Sequence, residues 1–254
     1  MKNLILTTTF IAAGTLAAFA DAPTGTYEDG NGNTQNFVFE DRGSSNFYRY
    51  SLNLNSGTYK NVKINSNAPI KVTIGSSVTF EGFTFKSVNG NFYDAVGSVL
   101  GGNIVFSNVA DSHIYSKLSS GTHFSIDSNS YIYFHSNIWD IASADLTKPL
   151  IDGGWVGMSS TDTFTLNFRS EELLKEQTIS LVSAGTRVVH AGDYSGFKEI
   201  AITLNGNAVS DYIATQSKDG KTISISRAVP EPSLFGLLAG TLALALAGTR
   251  RRHK

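Results

Sequence analysis

Residues 51–76 have the sequence SLNLNSGTYKNVKINSNAPIKVTIGS, which contains a ten-residue repeat. Three apolar-polar-apolar runs recur at this spacing, each followed two positions later by a serine: Leu52-Asn53-Leu54, Val62-Lys63-Ile64 and Val72-Thr73-Ile74. Because side chains alternate across a strand, the outer residues of each run point to one face and the central residue to the other. The stretch therefore predicts strands with an apolar inner face and a polar outer face.

The same period returns further along the chain. Apolar residues stand ten apart, or two positions after such a site, at Ile104, Phe106, Ile114, Phe124 and Ile126. Ser116 interrupts the pattern, and Tyr131-Ile132-Tyr133-Phe134 adds a strand at shorter spacing. Two such units would form one coil of about twenty residues, in which each unit needs its neighbours to bury its apolar face. We predict an all-β chain with a right-handed, parallel β-helix-like solenoid over residues 51–161.

An ordinary β-sandwich is the alternative, since its strands and turns also recur about every 8–12 residues. Residues 93–101 and 139–157 break the rhythm and are predicted to be loops or short helices that bulge from the coils. Residues 21–50 are predicted to form a flexible arm, Gly/Asn-rich over 25–36, and the first strands.

The sequence pattern changes after residue 161. Residues 164–168 alternate as a strand does, and 170–174 resemble a short helix with Ser170 as its N-cap. Asp219-Gly220 is a hairpin signal before the last strand. We expect residues 162–228 to form a closing β-rich region that covers the open end of the solenoid.

The composition excludes several classes of protein. The chain has no cysteine, so disulfides, thiolate metal sites and cysteine nucleophiles are ruled out. Five of the 20 Lys and Arg but only one of the 21 acids lie in residues 1–20 and 229–254, which leaves a net charge near −5 on the 208 residues between. Nucleic-acid binding needs a basic surface and is disfavoured.

Export is predicted from the amino terminus. Lys2 precedes an apolar run over residues 4–19, and the small-x-small sequence Ala18-Phe19-Ala20 follows. This is the pattern of a secretory signal peptide over residues 1–20, with cleavage by signal peptidase expected after Ala20.

The carboxyl terminus, residues 229–254, has the sequence VPEPSLFGLLAGTLALALAGTRRRHK. Residues 234–248 are apolar throughout, and as a helix they would reach roughly 22 Å. That is short of a hydrocarbon core of about 30 Å, so we predict one marginal transmembrane helix. Arg250, Arg251 and Arg252 would act as a membrane stop on the cytoplasmic side. The prolines before the helix favour an exposed, extended stretch.

A Pro-Glu-Pro triplet, a short apolar helix and a terminal arginine cluster together resemble the PEP-CTERM sorting signal of Gram-negative bacteria, which the membrane protease exosortase recognises. The resemblance covers about 26 residues and makes Pro230, Glu231 and Pro232 the recognition element. It implies an exosortase-type partner and transient residence in the inner membrane. The body would then reach the cell surface, outer envelope or extracellular matrix. The strand-rich body loosely resembles autotransporter-like passenger regions.

Candidate chemistry in the body is sparse. His113, His123 and His135 have no acid at a recurring position beside them, and residues ten apart would lie on different sheets, so we expect solvent-facing strand histidines and no metal site. A glycoside hydrolase needs paired carboxylates, and the best set is Asp140 with Asp145 or Asp152, near Trp139 and Trp155, in an apparent loop. Acids in loops are mostly solvated, and the chain has no G-x-S-x-G elbow.

Outward tyrosines are the best candidates for binding. Tyr115, Tyr131 and Tyr133, with Asn and Ser around them, would be able to contact the sugar rings of a surface polysaccharide. We therefore expect a structural or adhesive surface protein without enzymatic activity and without a cofactor. The alternatives are a β-helical polysaccharide lyase or glycoside hydrolase, and a non-catalytic glycan-binding protein.

Overall fold

Strands make up nearly all of the regular structure in the computed structural model, which describes residues 22–135, 137–142, 146, 148–159, 163–174, 178–185, 187–191 and 200–227. The strands before the coils are β1 (Thr24–Glu28), β2 (Thr34–Asn36) and β3 (Glu40–Asp41). The strands that form the coils are β4 (Tyr50–Asn65), β5 (Ile70–Tyr93), β6 (Val99–Val109), β7 (Ser112–Ile114), β8 (Lys117–Leu118), β9 (His123–Phe134), β10 (Ile138–Ile141), β11 (Ile151–Ser159), β12 (Phe164–Phe168), β13 (Thr178–Ser183), β14 (Arg187–Ala191) and β15 (Ile200–Leu204). The closing strands are β16 (Asn207–Ala208), β17 (Tyr212–Gln216) and β18 (Thr222–Arg227), and a 3-10 helix spans Glu171–Leu174.

The chain winds into a β-solenoid of about five turns, as the repeat predicts. Strand β4 pairs in parallel with β5, so that Leu52 lies beside Val72 and Ile64 lies beside Phe85. Parallel pairing continues from β5 to β6, from β6 to β9 and from β9 to β11. Ten residues thus carry the chain half-way round a coil, and about twenty bring it back one strand higher. The fold is a solenoid and not the alternative sandwich.

Alternation decides which side chains enter the core. Val62 and Ile64 are buried, whereas Lys63 between them is exposed, and Asn53 is exposed beside buried Leu52. Large apolar rings line the interior from coil to coil; Phe106, for example, packs against Phe83 at 5.7 Å and stacks on Phe124 at 6.5 Å. Each buried ring contributes about 1.5–3 kcal/mol by leaving water, so the core accounts for most of the attraction between coils.

The first strands expected within residues 21–50 are β1, β2 and β3. Strand β1 pairs antiparallel with β2 and also with β4, where Gly25 lies opposite Ile64. The Gly/Asn-rich residues between β1 and β2 form a tight turn in which the Asp29 carboxylate accepts hydrogen bonds from the backbone N–H groups of Asn31 and Asn33, both at 2.9 Å.

The prediction of a bulge over residues 139–157 is wrong at both of its ends. Trp139 lies in β10, pairs with Leu118 and is fully buried against Phe124. At the other end, β11 begins at Ile151, which pairs with Phe124, 27 positions earlier. The extra residues lengthen this coil and disturb the ten-residue period, although the strands continue.

Parallel coils also extend beyond residue 161 into the predicted closing region. Strand β12 pairs in parallel with β10 and β15, and the short helix expected at 170–174 is the 3-10 helix. Antiparallel strands then follow: β18 pairs with β13 and with β17, and the β17–β18 turn contains the predicted Asp219-Gly220.

Both terminal signals lie outside the described residues, including Ala18, Ala20, Pro230, Glu231, Pro232, Arg250, Arg251 and Arg252. In the described part of the chain, no helix has the length and apolarity needed to cross a membrane.

Candidate functional site: an outward aromatic face

Aromatic and imidazole rings gather on the outer side of one sheet of the solenoid. Residues about twenty apart lie side by side on successive coils, so an outward ring on one strand meets the outward ring of the next. We call this surface the aromatic face; its members are Tyr93, His113, Tyr115, Tyr131, Tyr133, His135 and Trp155.

The central column of the face is a stack of three rings. Tyr93 stacks on His113 with ring centroids 5.2 Å apart, and His113 stacks on Tyr133 at 4.9 Å, with interplanar angles of 12° and 13°. The Lys71 ammonium lies 5.0 Å from the centroid of the Tyr93 ring. Consequently, ring faces within the column are covered by their neighbours, and the rings present mainly their edges to solvent.

A second column joins the first through the histidines. Tyr115 stacks on His135 with centroids 4.1 Å apart, and His113 Nδ1 lies 2.8 Å from His135 Nε2. His113 Nε2 faces Asp111 Oδ1 at 3.3 Å, and a carboxylate only accepts hydrogen bonds. His113 Nε2 therefore carries a hydrogen, and with His113 neutral its Nδ1 accepts a hydrogen bond from His135 Nε2.

Asp111 ties the edge of the face together. Its backbone adopts a left-handed φ of 47°, and its Oδ2 accepts a hydrogen bond from the Tyr93 hydroxyl at 3.2 Å. Burial, with the Asp111 charge as a further cause, raises the pKa of Tyr93 and of Tyr133 above the ordinary tyrosine value. Both hydroxyls thus remain protonated in neutral solution and can donate hydrogen bonds.

The plane of the Trp155 ring is not parallel to the planes of the stacked rings. The indole lies 5.0 Å from the Tyr133 ring at 67° and 5.6 Å from the Tyr131 ring at 47°. Gly157 lies opposite Tyr133, and a Cβ there would stand 2.5 Å from Tyr133 Cδ1 and 3.0 Å from Trp155 Cζ3. The indole therefore occupies the space over Gly157 that a larger residue would fill.

The three predicted glycan contacts differ from one another in how open their rings are. Tyr115 and Tyr133 face outward as predicted, but His135 and His113 cover one face of each ring. Tyr131 is 47% exposed. Sequence reasoning missed Trp155 as its neighbour because the pair is separated by 24 residues and not by twenty.

The expected separation of the histidines is only partly right. His113 and His135 are 22 residues apart and meet, and Asp111 supplies the neighbouring acid that the sequence analysis did not recognise. His123 lies elsewhere, with Nδ1 3.4 Å from the Pro149 carbonyl oxygen. Among the residues that the structure describes, no group of three or more His, Cys, Asp or Glu is arranged to hold a metal ion.

Two of the three candidate carboxylates, Asp140 and Asp152, lie in strands and not in a loop. Asp140 lies in β10, where its Oδ2 contacts Lys117 Nζ at 2.7 Å and Arg169 Nη2 at 3.0 Å. Partial burial acts to raise the pKa of Asp140, but hydrogen bonds from Lys117, Asn167 and Arg169 outweigh it and lower the pKa. A lowered pKa disfavours the protonated form that a general acid needs. Asp152 is exposed in β11, and Asp145 lies outside the described residues.

We found no match to this chain among protein-family models, curated proteins or solved structures.

Proposed function

We propose that the chain is an exported, non-enzymatic structural or adhesive protein of the bacterial cell surface or extracellular matrix, delivered by an exosortase-type system. The observation that carries the proposal for the body is the use of its outward carboxylates. Asp111, Asp127 and Asp140 all form bonds between coils, which a scaffold requires and which leaves these acids poorly placed for catalysis.

Asp127 illustrates this use. Its Oδ2 accepts hydrogen bonds from Ser107 Oγ at 2.8 Å and from Asn108 N at 2.9 Å, both in the preceding coil. Its Oδ1 accepts from Ser130 Oγ at 2.6 Å within its own turn. Partial burial acts to raise the pKa of Asp127, but these hydrogen bonds outweigh it and lower the pKa. The carboxylate is fully engaged as an anion.

Asp140 bridges three successive coils in the same way. Lys117 approaches it from one side, and Arg169 and Asn167 from the other, with Asn167 Nδ2 donating to Asp140 Oδ1 at 2.7 Å. Asn167 Oδ1 in turn accepts from Thr203 Oγ1 at 2.9 Å. The chain of contacts continues along the solenoid and stiffens it.

Right-handed winding is part of the proposal, because parallel strands joined by crossovers wind that way in nearly all proteins. The sorting pathway rests on the resemblance of residues 229–254 to the PEP-CTERM signal. A solenoid with covered ends suits a passenger that must stay folded outside the cell, where chaperones that use ATP are absent.

The competing function is a β-helical lyase or hydrolase. Charges of both signs meet in several grooves of the described surface, and one of these grooves is lined by Glu28, Lys63 and Glu81. Glu81 lies 3.0 Å from Lys60, and Glu28 accepts a hydrogen bond from Asn61. These partners favour a structural use of the groove's acids.

Expression of the full-length chain in a host that contains exosortase tests the proposal. We expect the protein in the surface or matrix fraction, and no new reducing ends when surface polysaccharides are incubated with it. Retention in the cytoplasm would contradict export. Cleavage that is lost in Glu81→Gln or in Asp152→Asn, but kept in Asp219→Asn in the β17–β18 turn, would establish the competing enzyme.

A further inference from the structure

We propose that Trp155 and Tyr131 form a binding site for a neutral polysaccharide chain, with Asp111 and the neighbouring hydroxyls bonding to the sugar. We call these two rings the aromatic platform. The inference rests on the proposed adhesive role and names its ligand class and its site.

The platform differs from the rest of the aromatic face in orientation. Tyr93, His113 and Tyr133 cover one another at angles near 12°, whereas Trp155 stands at 67° to Tyr133 and 47° to Tyr131. The indole extends over Gly157, where a side chain is absent. Trp155 is partly exposed, so part of the indole is accessible to a ligand.

Exposure agrees with this geometry. Tyr131 is 47% exposed, although the other tyrosines of the face are partly buried within the stacks. The two adjoining rings, with centroids 5.6 Å apart and an angle of 47° between their planes, form a shallow angular surface. A purely aliphatic ligand would cover the two rings but would leave the polar groups at their border without hydrogen-bond partners.

The bordering groups match the edge of a sugar. A pyranose ring has a face of C–H bonds, whose slight positive charge is attracted to the negative face of an aromatic ring. Its rim carries hydroxyls that both donate and accept hydrogen bonds. Asp111 has a side chain 63% exposed and can accept from them, and the Tyr133 hydroxyl remains protonated and can donate.

Charge selects a neutral chain. Asp111 directly precedes Ser112, which pairs with Ile132, so the carboxylate lies beside the row of Tyr131. The nearest cation of the column, Lys71, is over Tyr93 at the far end of the stack. On the other side of the platform, Arg187 in β14 pairs with Trp155. The two rows that flank the platform thus contain one acid and one base, and this balance of charge suits a neutral chain.

Titration of the full-length chain in detergent with hexasaccharides tests the proposal. The probes are β-1,4-linked glucose, β-1,4-linked N-acetylglucosamine and α-1,4-linked galacturonate, with calorimetry as the binding measurement. The chain has two tryptophans, and Trp139 is fully buried, so a saturable change in tryptophan emission reports on Trp155. We expect this change with a neutral hexasaccharide, and weaker binding of galacturonate.

Variants locate the site. Trp155→Ala should weaken binding about tenfold or more, and Tyr131→Ala about threefold to tenfold, as expected from the loss of aromatic contacts. The remaining Trp139 emission shows whether Trp155→Ala keeps its fold. Ile213→Ala is the control: Ile213 is 47% exposed, as Tyr131 is, but lies in β17 among the closing strands, and its truncation should leave binding unchanged.

Three results would overturn the proposal: no binding of either neutral hexasaccharide, equal binding by the Trp155→Ala variant, or tighter binding of galacturonate. A wild-type protein that is dimeric in solution and binds no sugar, with a Trp155→Ala variant that is monomeric, would assign the platform to contact between two copies. That result would also overturn the proposal. None of these results affects export and surface location, so the proposed function would still stand as a scaffold. Cleavage of a bound hexasaccharide would instead contradict the non-enzymatic function while leaving the platform intact.

Discussion

At the scale of single residues, the aromatic face depends on one position that has no side chain. Gly157 lies under the Trp155 indole and against the Tyr133 ring. Aromatic pairs contribute about 0.5–1.5 kcal/mol beyond the area they bury, and here two such pairs share the space over a single glycine. A side chain at residue 157 would therefore crowd both rings.

Gly157→Ala should lower the free energy of unfolding by about 1–3 kcal/mol, because the new methyl overlaps Tyr133 Cδ1. It should also displace Trp155 and change its emission maximum. Gly30→Ala is the control, since nothing lies within 4 Å of a Cβ at Gly30. Guanidinium unfolding curves measure both variants; equal stability of the two would mean that Tyr133 moves aside without cost.

Asp94 makes stability depend on pH. Burial raises its pKa from 3.8 to about 6, although the backbone N–H groups of Tyr115 and Ser116 both bond to its oxygens. Between about pH 4 and pH 6 the folded carboxyl holds a proton that the unfolded one has released. The free energy of unfolding should therefore fall by up to about 3 kcal/mol as the pH rises through this window.

Asp94→Asn separates this contribution from other titrating groups. The variant loses one hydrogen bond but has no charge to bury, so its unfolding free energy should lack this decline. Chemical unfolding at pH 4, 5, 6 and 7 gives the difference between the two proteins. If the unfolding free energies of the wild type and of Asp94→Asn changed with pH in the same way across that range, Asp94 would be ionised throughout.

At the scale of elements, inner and outer positions follow strand alternation. Ile64 is fully buried in β4, and its neighbour Lys63 is exposed. Ile64→Asp should unfold the solenoid, because it places an unpaired charge among apolar groups. Lys63→Asp should change stability by about 1 kcal/mol or less. Circular dichroism melts compare them, and similar melting temperatures would contradict the assignment of the two faces.

The ten-residue period predicted coils of the right length wherever turns are short. Leu52, Val62 and Val72 show it directly, since they are spaced by half a coil and all point inward. The period fails after Phe134, where the residues between β10 and β11 lengthen the coil. The repeat pattern therefore predicts a loop for both tryptophans, although Trp139 is in the core and Trp155 is on the platform.

The aromatic columns were only partly predictable for a related reason. Tyr93, His113 and Tyr133 are twenty residues apart, so their adjacency follows once the coil length is known. The contact between His113 and His135 depends on how rings tilt within the stack, which no spacing specifies. The orientation of Trp155 depends on Gly157, a residue that has no signal in an apolar pattern.

At the scale of the whole molecule, antiparallel strands lie at both ends of the parallel coils. Strand β1 lies on β4, and β18 lies on β13, which protects edges that would otherwise pair with another chain. Strand β18 ends at Arg227, whose guanidinium lies 3.4 Å from Asp211. The predicted recognition stretch begins three residues later, at Pro230. A cut within or after that stretch would remove no strand of the body.

The tail can therefore be tested apart from the fold. Replacing Pro230, Glu231 and Pro232 by alanine should leave the melting temperature unchanged but stall the uncut protein in the inner membrane of a host that contains exosortase. A plain membrane anchor would depend on the helix and the arginines, and would be indifferent to Glu231. A helix of roughly 22 Å is a poor permanent anchor, which favours temporary use. Mass spectrometry of the released protein decides between them: residues 234–254 still present at its carboxyl terminus, or release unaffected by the substitutions, would reduce the tail to an anchor.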